Sequence, residues 1–256
     1  MLRYAERMSD AQDFEGLVAV VTGGASGIGA AIANELSARG SRVAIIDRQL
    51  GEIPPGMLAI EADVTDDATV VAAVQTIATQ LGGIDVLINN AGIGAAGNIT
   101  ANDDDEWHRV WDVNVVGIAR MTRACLPWLR RSDAASIVNT ASVVAHVGVK
   151  DRALYASTKG AVAALTLAMA ADHLADGIRV NAVSPGTADT PWVARLLEAA
   201  ESPDAAAEAL RKRQPMGRLV SADEVAWAVA SLASPRAAST TGTILSVDGG
   251  MRSVRV

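Results

Sequence analysis

The sequence predicts an α/β protein built on one doubly wound parallel sheet of about seven strands, with helices on both faces. The first observation is a rhythm, because short apolar runs alternate with longer stretches of helical spacing from Leu17 to Gly250. The second is composition, since 50% of the residues are hydrophobic but only 3% are aromatic. Small aliphatic side chains must then fill the core, which is typical of a parallel sheet buried between helices.

Each element follows from a local pattern. Gly40 marks the end of the first helix, and Ser221, three residues before Glu224, predicts a capping box at the start of the last helix. The apolar runs predict strands over 17–24, 42–48, 57–64, 84–92, 135–142, 178–186 and 243–250. Helical spacing predicts helices over 27–40, 66–82, 103–129, 154–175 and 221–234.

No linker, repeat or low-complexity segment divides the chain, so we expect one domain over 16–256. The polar start, 1–15, is expected to be a flexible arm. Residues 187–218 break the alternation with a more polar helical insert, centred on 190–214. Because sites in such sheets lie at the carboxyl ends of the strands, the insert is expected to be a small helical lid over a site. The alternative is a helical decoration of the surface.

Bulk properties exclude several kinds of protein. The formal net charge is −7 and there is no basic stripe, which argues against a nucleic-acid partner. A single cysteine, Cys125, rules out an internal disulfide, and the three scattered histidines lack metal-ligand spacing, so no metal is expected. No apolar run has the length of a membrane span, and the start lacks a signal-peptide core. We expect a cytoplasmic protein that acts on a small molecule.

A glycine-rich turn follows the first predicted strand. The stretch "VVTGGASGIGAA" places Gly23, Gly27 and Gly29 between strand and helix, at G-x-x-x-G-x-G spacing. This differs from the G-x-G-x-x-G fingerprint, but it allows the same tight turn and the same close approach of a pyrophosphate. The backbone amides from Ser26 through Ile28 would face the phosphates at the helix start. The alternative is a tight strand–helix connection without a ligand.

An acidic residue ends the second predicted strand. Asp47 lies 18 residues after Gly29, where a carboxylate accepts hydrogen bonds from an adenosine ribose and repels a 2′-phosphate. The turn and this acid together predict a Rossmann-like domain that binds NAD. Arg48 is discordant, because a cation there could support some binding of NADP.

Two further strand ends carry polar or small residues. Asp63 and Val64 end the third strand and could contact the adenine ring, although Asp63 could instead be a turn residue before Thr65. The motif "NNAG" ends the fourth strand. Its Asn90 side chain can tie neighbouring loops, while Ala91 and Gly92 leave room for a flat ligand; the alternative is an ordinary turn.

In combination, these motifs make the chain resemble the short-chain dehydrogenase/reductase family over Thr22 to Gly250. Each motif is common alone, but all of them in order and at family spacing are specific. The matching pieces are T-G-x-x-x-G-I-G (22–29), Asp63, N-N-A-G (89–92), Asn114, Ser142, Y-x-x-x-K (155–159) and N-x-V-x-P-G-x-x-x-T (181–190).

The resemblance implies a catalytic tetrad of Asn114, Ser142, Tyr155 and Lys159. Tyr155 would exchange a proton with the substrate, and Lys159, one helical turn on, would stabilise the phenolate and hold the nicotinamide ribose. Ser142 would bind the substrate oxygen, and Asn114 would support a proton path through water. Each has a structural alternative: Ser142 could cap a helix, Asn114 could be a satisfied core amide, and the Tyr155–Lys159 spacing could arise by chance.

The resemblance also implies contacts beyond the tetrad. Pro185 and Gly186 would shape a turn near the nicotinamide, and Thr190, or less directly Thr187, would reach its carboxamide. The C-terminal stretch "ILSVDGGMRSVRV" would pack against another subunit, commonly in a homotetramer. The alternative is a frayed tail.

Three arginines bear on the substrate. The run 185–218 resembles a subgroup of the family that includes dehydrogenases of the 3-hydroxybutyrate and 2-keto-3-deoxy-L-fuconate type. In that subgroup, arginines near the substrate carboxylate are expected at the positions of Arg152, Arg195 and Arg213. Trp192 could form an apolar wall and His146 a polar contact. The alternatives are a solvated lid face, an NAD-dependent dehydrogenase of free sugars or uncharged alcohols, and a catalytically silent NAD-binding protein. An NADPH-dependent ketoreductase of the acyl-carrier type is disfavoured by Asp47 and by the absence of a basic residue in the glycine turn.

Overall fold

The structure is a computed structural model that describes residues 12–198 and 202–255, with the side chains of residues 192, 195 and 196 outside the described part. Seven parallel strands form one sheet in the order β3-β2-β1-β4-β5-β6-β9, and two short strands, β7 and β8, pair separately. The strands are β1 (Val18–Thr22), β2 (Arg42–Asp47), β3 (Leu58–Glu61), β4 (Val86–Asn89), β5 (Ser136–Thr140), β6 (Arg179–Pro185), β7 (Ala188–Asp189), β8 (Val220–Ser221) and β9 (Ile244–Val247).

Helices cover both faces of the sheet and bury one apolar layer each. The helices are α1 (Gly27–Ala38), α2 (Asp67–Leu81), α3 (Asp104–Trp111), α4 (Gly117–Leu129), α5 (Ala153–Asp172), α6 (Pro191–Glu198), α7 (Pro203–Lys212) and α8 (Ala222–Ala233). One layer packs α2, α4 and α5 on the sheet, and the other packs α1 and α8 on the opposite face. The predicted single-domain, doubly wound, Rossmann-like fold with seven parallel strands is confirmed.

The order of the strands reverses beside β1. Val20 of β1 is in register with Ala44 of β2 on one side and with Leu87 of β4 on the other. The chain runs from β1 to β2 and β3 on one side of β1, and then returns to β4 on its other side. At this reversal a crevice opens outside the carboxyl ends of β1 and β4. The crevice puts the glycine turn after β1 next to the "NNAG" segment after β4.

The helix predicted over 103–129 is not one α-helix. A π-helical segment, Asp112–Val116, separates α3 from α4. Such a segment adds one residue to the turn and re-aims the side chains around it. Here it contains Asn114, which is fully buried.

Residues at the end of the predicted N-terminal arm pack on the folded domain. Phe14, which the sequence placed in the polar arm, is fully buried and packs with Ile32 and Leu36 of α1. Asp13 forms an ion pair with Arg39, which follows α1. The rest of the predicted arm, residues 1–11, lies outside the described residues. A lone aromatic in a polar stretch has no periodic pattern that would identify it as a core residue.

The insert predicted as a lid contains α6 and α7, and β7 and β8 flank the two helices. The pairing of Ala188 with Val220 ties the two ends of the insert together. The predicted capping box is confirmed, because Ser221 and Glu224 bond reciprocally at the start of α8.

One helix meets the length and composition of a membrane span, contrary to the sequence expectation. Helix α5 has 20 residues and a mean hydropathy of 1.2 over its most apolar window. Its buried residues include Thr158, Lys159 and Thr166, and it packs on β5 and β6. A buried core helix can have the same length and hydropathy as a membrane span, and we interpret α5 as such a helix.

Candidate active site

A cleft of about 500 Å³ opens at the carboxyl edge of the sheet, across the crevice beside β1. It runs from the end of β2 to the first turns of α5. Most residues that the sequence predicted for cofactor binding line it: Gly23, Ser26, Gly27, Ile28, Gly29, Asp47, Arg48, Asp63, Val64, Asn90, Ala91, Gly92, Tyr155, Lys159 and Thr190.

The glycine turn forms the floor of the cleft, and two of its glycines cannot be replaced without collision. Gly23 has φ 63°, and a Cβ there would lie 2.9 Å from Cα of Ala91. A Cβ on Gly29 would collide with the carbonyl oxygen of Gly23. Ser26 precedes α1 without a side-chain capping bond among the described residues. The first amides of α1 are therefore free to bind an anion, which fits the pyrophosphate of a dinucleotide.

Three charged residues lie at the β2–β3 end of the cleft. The Asp47 carboxylate accepts a hydrogen bond from the backbone amide of Ala25 at 3.1 Å, so it is fixed against the glycine turn. Arg48 pairs with Asp63 at 3.7 Å. Asp63 also accepts bonds from the amide and hydroxyl of Thr65, at 2.9 and 2.8 Å. Burial raises the pKa of Asp63, but the bonds from Thr65 and the charge of Arg48 outweigh it, so the pKa is lowered overall.

Asn90 joins the ends of three strands. Its Nδ2 donates to the carbonyl oxygens of Thr22 and Gly23, at 3.1 and 3.3 Å, and its Oδ1 accepts from the Thr140 hydroxyl at 3.4 Å. The Thr22 hydroxyl in turn accepts from the amides of Asn90 and Ala91, both at 3.0 Å. The wall of the cleft is therefore rigid at the crevice.

Tyr155 stands at the other end of the cleft, in the first turn of α5. It packs against a buried apolar cluster of Ala95, Val110 and Leu154. Burial raises the pKa of the phenol above its ordinary value, while the neighbouring Ser142 hydroxyl and the positive charge of Arg152 lower it in part. Arg152 thus has an electrostatic effect on the phenol that the sequence did not indicate.

Lys159 is 4% exposed and has no carboxylate partner among the described residues. Its Nζ donates to the carbonyl oxygen of Thr140 at 2.8 Å and lies 5.7 Å from the centroid of the Tyr155 ring. Burial lowers the pKa of this ammonium to about 8. An amine that is poised near neutrality and faces a cleft is a feature of functional sites.

Asn114 lies behind the cleft rather than in its wall. Its Oδ1 accepts from the amide of Ile93 at 2.8 Å, and its Nδ2 donates to the carbonyl oxygen of Ile93 at 2.9 Å and to the Thr158 hydroxyl at 3.1 Å. A Cβ on Gly92 would lie 3.3 Å from this Oδ1 and 3.5 Å from Nζ of Lys159. The missing side chain of Gly92 therefore leaves a gap between the amide and the ammonium.

Some predicted residues do not line the cleft. Ser142 lies beside Tyr155 and also caps the short 3₁₀ turn Val143–Ala145, so its predicted alternative role as a cap is real. Pro185, Gly186 and Thr187 lie at the exit of β6, where the amide of Gly186 donates to the carbonyl oxygen of Val247 at 2.9 Å. None of the three lines the cleft, whereas Thr190 does.

The predicted substrate residues are dispersed. Arg152 precedes α5, and its Nη1 donates to the carbonyl oxygen of Asp151 at 2.8 Å. His146 follows the 3₁₀ turn, and its Nε2 is buried without a partner in the described ranges. Burial and the charge of Arg252 lower the pKa of this imidazole. Arg213 is exposed at the end of α7 and does not line the cleft. The side chains of Trp192 and Arg195 lie outside the described residues.

The sequence predicted no individual role for three threonines that hold the site. The Thr22 hydroxyl accepts a hydrogen bond from the "NNAG" segment. The Thr140 carbonyl oxygen accepts one from the Lys159 ammonium, and the Thr158 hydroxyl accepts one from the Asn114 amide. Thr22 and Thr140 sit at strand ends on the carboxyl edge, which was an available signal. Thr158 had none, because a threonine inside an apolar helix is common.

The fold, the glycine turn at a helix start and the acid after β2 define a Rossmann-like nucleotide-binding protein. A half-buried tyrosine and a buried lysine in the same cleft extend this to an oxidoreductase. Comparison with known proteins gives the family. A family model described as enoyl-(acyl carrier protein) reductase matches residues 23–252. The chain belongs to the short-chain dehydrogenase/reductase family, oxidoreductases that act on secondary alcohols and ketones.

Three relatives illustrate its range. The chain is 40% identical over 247 residues to cis-4-hydroxycyclohexanecarboxylate dehydrogenase from Sinomonas cyclohexanicum, covering 93% of this chain and 97% of the relative. Ligand-free Thermoplasma acidophilum aldohexose dehydrogenase superposes with a TM-score of 0.89 at 38% identity, covering 96% and 97% of the two chains. The 3-ketoacyl-(acyl-carrier-protein) reductase from Brucella melitensis, complexed with NADH, superposes with a TM-score of 0.85 at 36% identity, covering 93% and 99%. A nicotinamide cofactor follows from the family and from this last complex.

Proposed function

We propose that the protein transfers a hydride between NAD and a secondary alcohol or ketone, with Tyr155 as the proton-transferring group. The observation that carries the proposal is that one cleft joins the free amides of the glycine turn at one end to Tyr155 and Lys159 at the other. The cofactor supplies the hydride acceptor when bound. The protein supplies binding, orientation and the proton.

The preference for NAD over NADP rests on Asp47. Its carboxylate is fixed by Ala25 where an adenosine ribose would lie, and a 2′-phosphate would meet a like charge. Arg48 does not reverse this, because its charge is directed towards Asp63. Comparing kcat/KM for NAD and NADP tests the assignment. NADP used as efficiently as NAD would overturn it, and Asp47→Ala should narrow the difference.

The proton chemistry is assigned to four side chains. Tyr155 accepts the alcohol proton during oxidation and returns it during reduction. Ser142, beside the phenol, binds the substrate oxygen. Lys159 holds the nicotinamide ribose, and the gap at Gly92 is suited to a water that connects its Nζ to Asn114.

The substrate is proposed to be a small hydroxy-carboxylate or a 2-keto-3-deoxy sugar acid. Arg152 is the best-supported anchor, because it directly precedes α5, three residues before Tyr155, and its positive charge lowers the pKa of that phenol. The relative from Sinomonas cyclohexanicum is named for a hydroxy-carboxylate. Arg195, Trp192 and His146 are proposed further contacts, whereas the exposed Arg213 has no support from the cleft.

The decisive experiment is a panel of hydroxy acids, uncharged secondary alcohols and free sugars assayed with NAD. We expect activity on the acids, and Arg152→Met should raise KM for an acid more than KM for a neutral alcohol. Activity confined to uncharged substrates would reject the carboxylate. The aldohexose dehydrogenase neighbour favours a free-sugar dehydrogenase as the second candidate. Binding of NAD without turnover on any alcohol would instead indicate a silent NAD-binding protein.

The quaternary structure is proposed to be a homotetramer, and its location cytoplasmic, as expected from the sequence. An exposed apolar surface supports association, since Trp227 of α8 is 61% exposed beside Leu245 of β9, which is 36% exposed. A second copy would cover these side chains. Light scattering of the protein and of Trp227→Glu tests this, and a monomeric wild type would refute it.

A further inference from the structure

Gln214, between α7 and β8, is a buried amide that bridges two segments of backbone. It is 1% exposed. Its Nε2 donates to the carbonyl oxygens of Thr187 and Arg218, at 3.2 and 2.9 Å. These two carbonyls belong to opposite ends of the insert, so the amide fastens the exit of β6 to the strand that precedes α8.

The oxygen of the Gln214 side chain accounts for the glycine at position 186. The Oε1 of Gln214 is buried and has no hydrogen-bond partner within the described residues. A Cβ on Gly186 would lie 2.5 Å from this oxygen and 3.0 Å from Cα of Asp248. The backbone of Gly186 needs no positive φ, so glycine is required there by space alone. The amide occupies the place that a side chain at 186 would take.

The fastened segment leads directly to the cleft. The Thr187 carbonyl accepts a second bond, from the amide of Val220 at 3.0 Å, and Ala188 and Asp189 pair with Val220 and Ser221. Thr190, the next residue, lines the cleft against the glycine turn, where a Cβ on Gly27 would lie 3.7 Å from it. The position of Thr190 thus depends on how residues 186–189 are held.

We propose that Gln214 is a positioning residue for cofactor binding: its amide, wedged against Gly186 and bonded to Thr187, sets the place of Thr190 at the cleft. The inference rests on the proposed binding of NAD in this cleft. Gln214 is not among the described residues that line the cleft, so its replacement should act through the wall of the cofactor site and leave Tyr155 and Lys159 in place.

The test is Gln214→Met, which keeps the volume and removes both bonds. We expect the KM for NAD and the dissociation constant for NADH, measured by fluorescence titration, to rise by about tenfold, because Thr190 is no longer held in its place at the cleft. The kcat at saturating NAD should change by less than about twofold, because the groups at Tyr155 are undisturbed. If the Met variant does not fold, Gln214→Asn carries the same test, since its shorter amide cannot reach both carbonyls.

A matched control separates positioning from stability. Asn181 is another fully buried amide that joins two backbone segments, donating to Thr240 and accepting from Thr243, at 2.9 and 3.0 Å. It lies near the start of β6, at the far end from the cleft. Asn181→Leu should lower the melting temperature as much as Gln214→Met does, with the KM for NAD unchanged.

Gly186→Ala probes the same contact from the other side. The added methyl must displace the Gln214 amide, so it should raise the KM for NAD in the same way, and the double variant should be no worse than the more affected single variant. Equal KM values for wild type and Gln214→Met, or equal KM increases for Gln214→Met and Asn181→Leu, would overturn the inference. A wild type that does not bind NADH would instead overturn the proposed function.

Discussion

The Asn114 side chain forms a two-way hydrogen-bonded pair with the backbone of Ile93, accepting from its amide at 2.8 Å and donating to its carbonyl at 2.9 Å. The amide thus pairs with Ile93 as a neighbouring strand would, just beyond the end of β4. The π-helical segment Asp112–Val116 directs the Asn114 side chain towards the backbone of Ile93, because a regular α-helical turn would point residue 114 in another direction.

Replacing Asn114 should therefore destabilise the fold. Asn114→Leu keeps the volume but leaves the partly buried amide and carbonyl of Ile93 without their side-chain partners, which costs about 2–4 kcal/mol. Thermal unfolding should show a fall in melting temperature of about 5–15 °C. Thr158→Val removes the third bond of the amide and the bond from the Thr158 hydroxyl to the Tyr155 carbonyl, but it keeps both bonds to Ile93 and should cost less. A melting temperature equal to that of wild type would show that the π-helical segment does not need this pair.

Adding one methyl group at Gly92 should slow turnover without disturbing the fold. The new Cβ would lie 3.3 Å from Oδ1 of Asn114 and 3.5 Å from Nζ of Lys159, which is tight but not a collision. It would close the gap proposed for a connecting water. We expect Gly92→Ala to lower kcat by about tenfold or more with a normal melting temperature. Gly160→Ala, where a Cβ meets open space, should leave kcat unchanged.

Tyr155→Phe should remove turnover and keep cofactor binding. The substitution deletes only the hydroxyl, and the ring keeps its packing against the cluster of Ala95, Val110 and Leu154. Positioned acid–base groups contribute about 10²- to 10⁴-fold, so kcat should fall by that range. NADH titration should give an unchanged dissociation constant. Turnover near the wild-type rate would reject Tyr155 as the proton-transferring group.

The pH profile of oxidation should report the charge of Arg152. Oxidation requires the phenolate of Tyr155, so the rate rises with pH through the pKa of the phenol. That pKa is raised by burial, and Arg152 and Ser142 lower it in part. Arg152→Met removes the cation, which raises the pKa and moves the rising limb of kcat/KM to higher pH.

The assay should use a neutral alcohol, so that the loss of a contact with a substrate carboxylate does not affect the measured kcat/KM. Lys150→Met removes an exposed cation two residues earlier and should leave the limb where it is. Lys159, whose Nζ lies 5.7 Å from the centroid of the Tyr155 ring, remains in both variants. An unmoved limb in Arg152→Met would leave Arg152 with no effect on the phenol.

The sequence predicted the parts of the molecule that depend on neighbours along the chain. Apolar runs located all seven strands of the sheet, with ends within a few residues, and the glycine turn and Asp47 located the cleft. The motif at 155–159 located Tyr155 and Lys159 on one face of α5, because four residues make about one helical turn.

Other features depend on contacts between distant residues, and no local pattern predicts them. The π-helical segment is tied to a bond between residues 21 positions apart, and the Gln214 bond to Thr187 spans 27 positions. The burial of Phe14 has the same origin, since the aromatic fills a space that α1 and the sheet create together. The substrate arginines were placed by resemblance alone, and the exposed Arg213 shows the limit of that argument.

Lys159 gives the last prediction, which concerns stability rather than rate. Its ammonium is buried, and burial lowers its pKa from 10.5 to about 8. Between these values the unfolded chain binds more protons than the folded one, so stability rises with pH across that window. Below pH 8 both states are protonated, and the folded protein carries the full penalty of a buried charge.

Lys159→Met should accordingly stabilise the protein at pH 7 in the absence of NAD, although it removes activity. The free energy of unfolding should increase by about 2 kcal/mol, because the cost of burying the ammonium that is removed exceeds the free energy of the lost hydrogen bond to Thr140. The melting temperature should then rise by about 4–8 °C. The advantage should shrink when the same melts are repeated near pH 9.5, where the wild-type amine is largely neutral when folded. Lys150→Met, an exposed lysine, should show neither effect. A Met variant that melts below wild type at pH 7 would mean that Lys159 stabilises the fold as well as the reaction, and that its charge is compensated within the core.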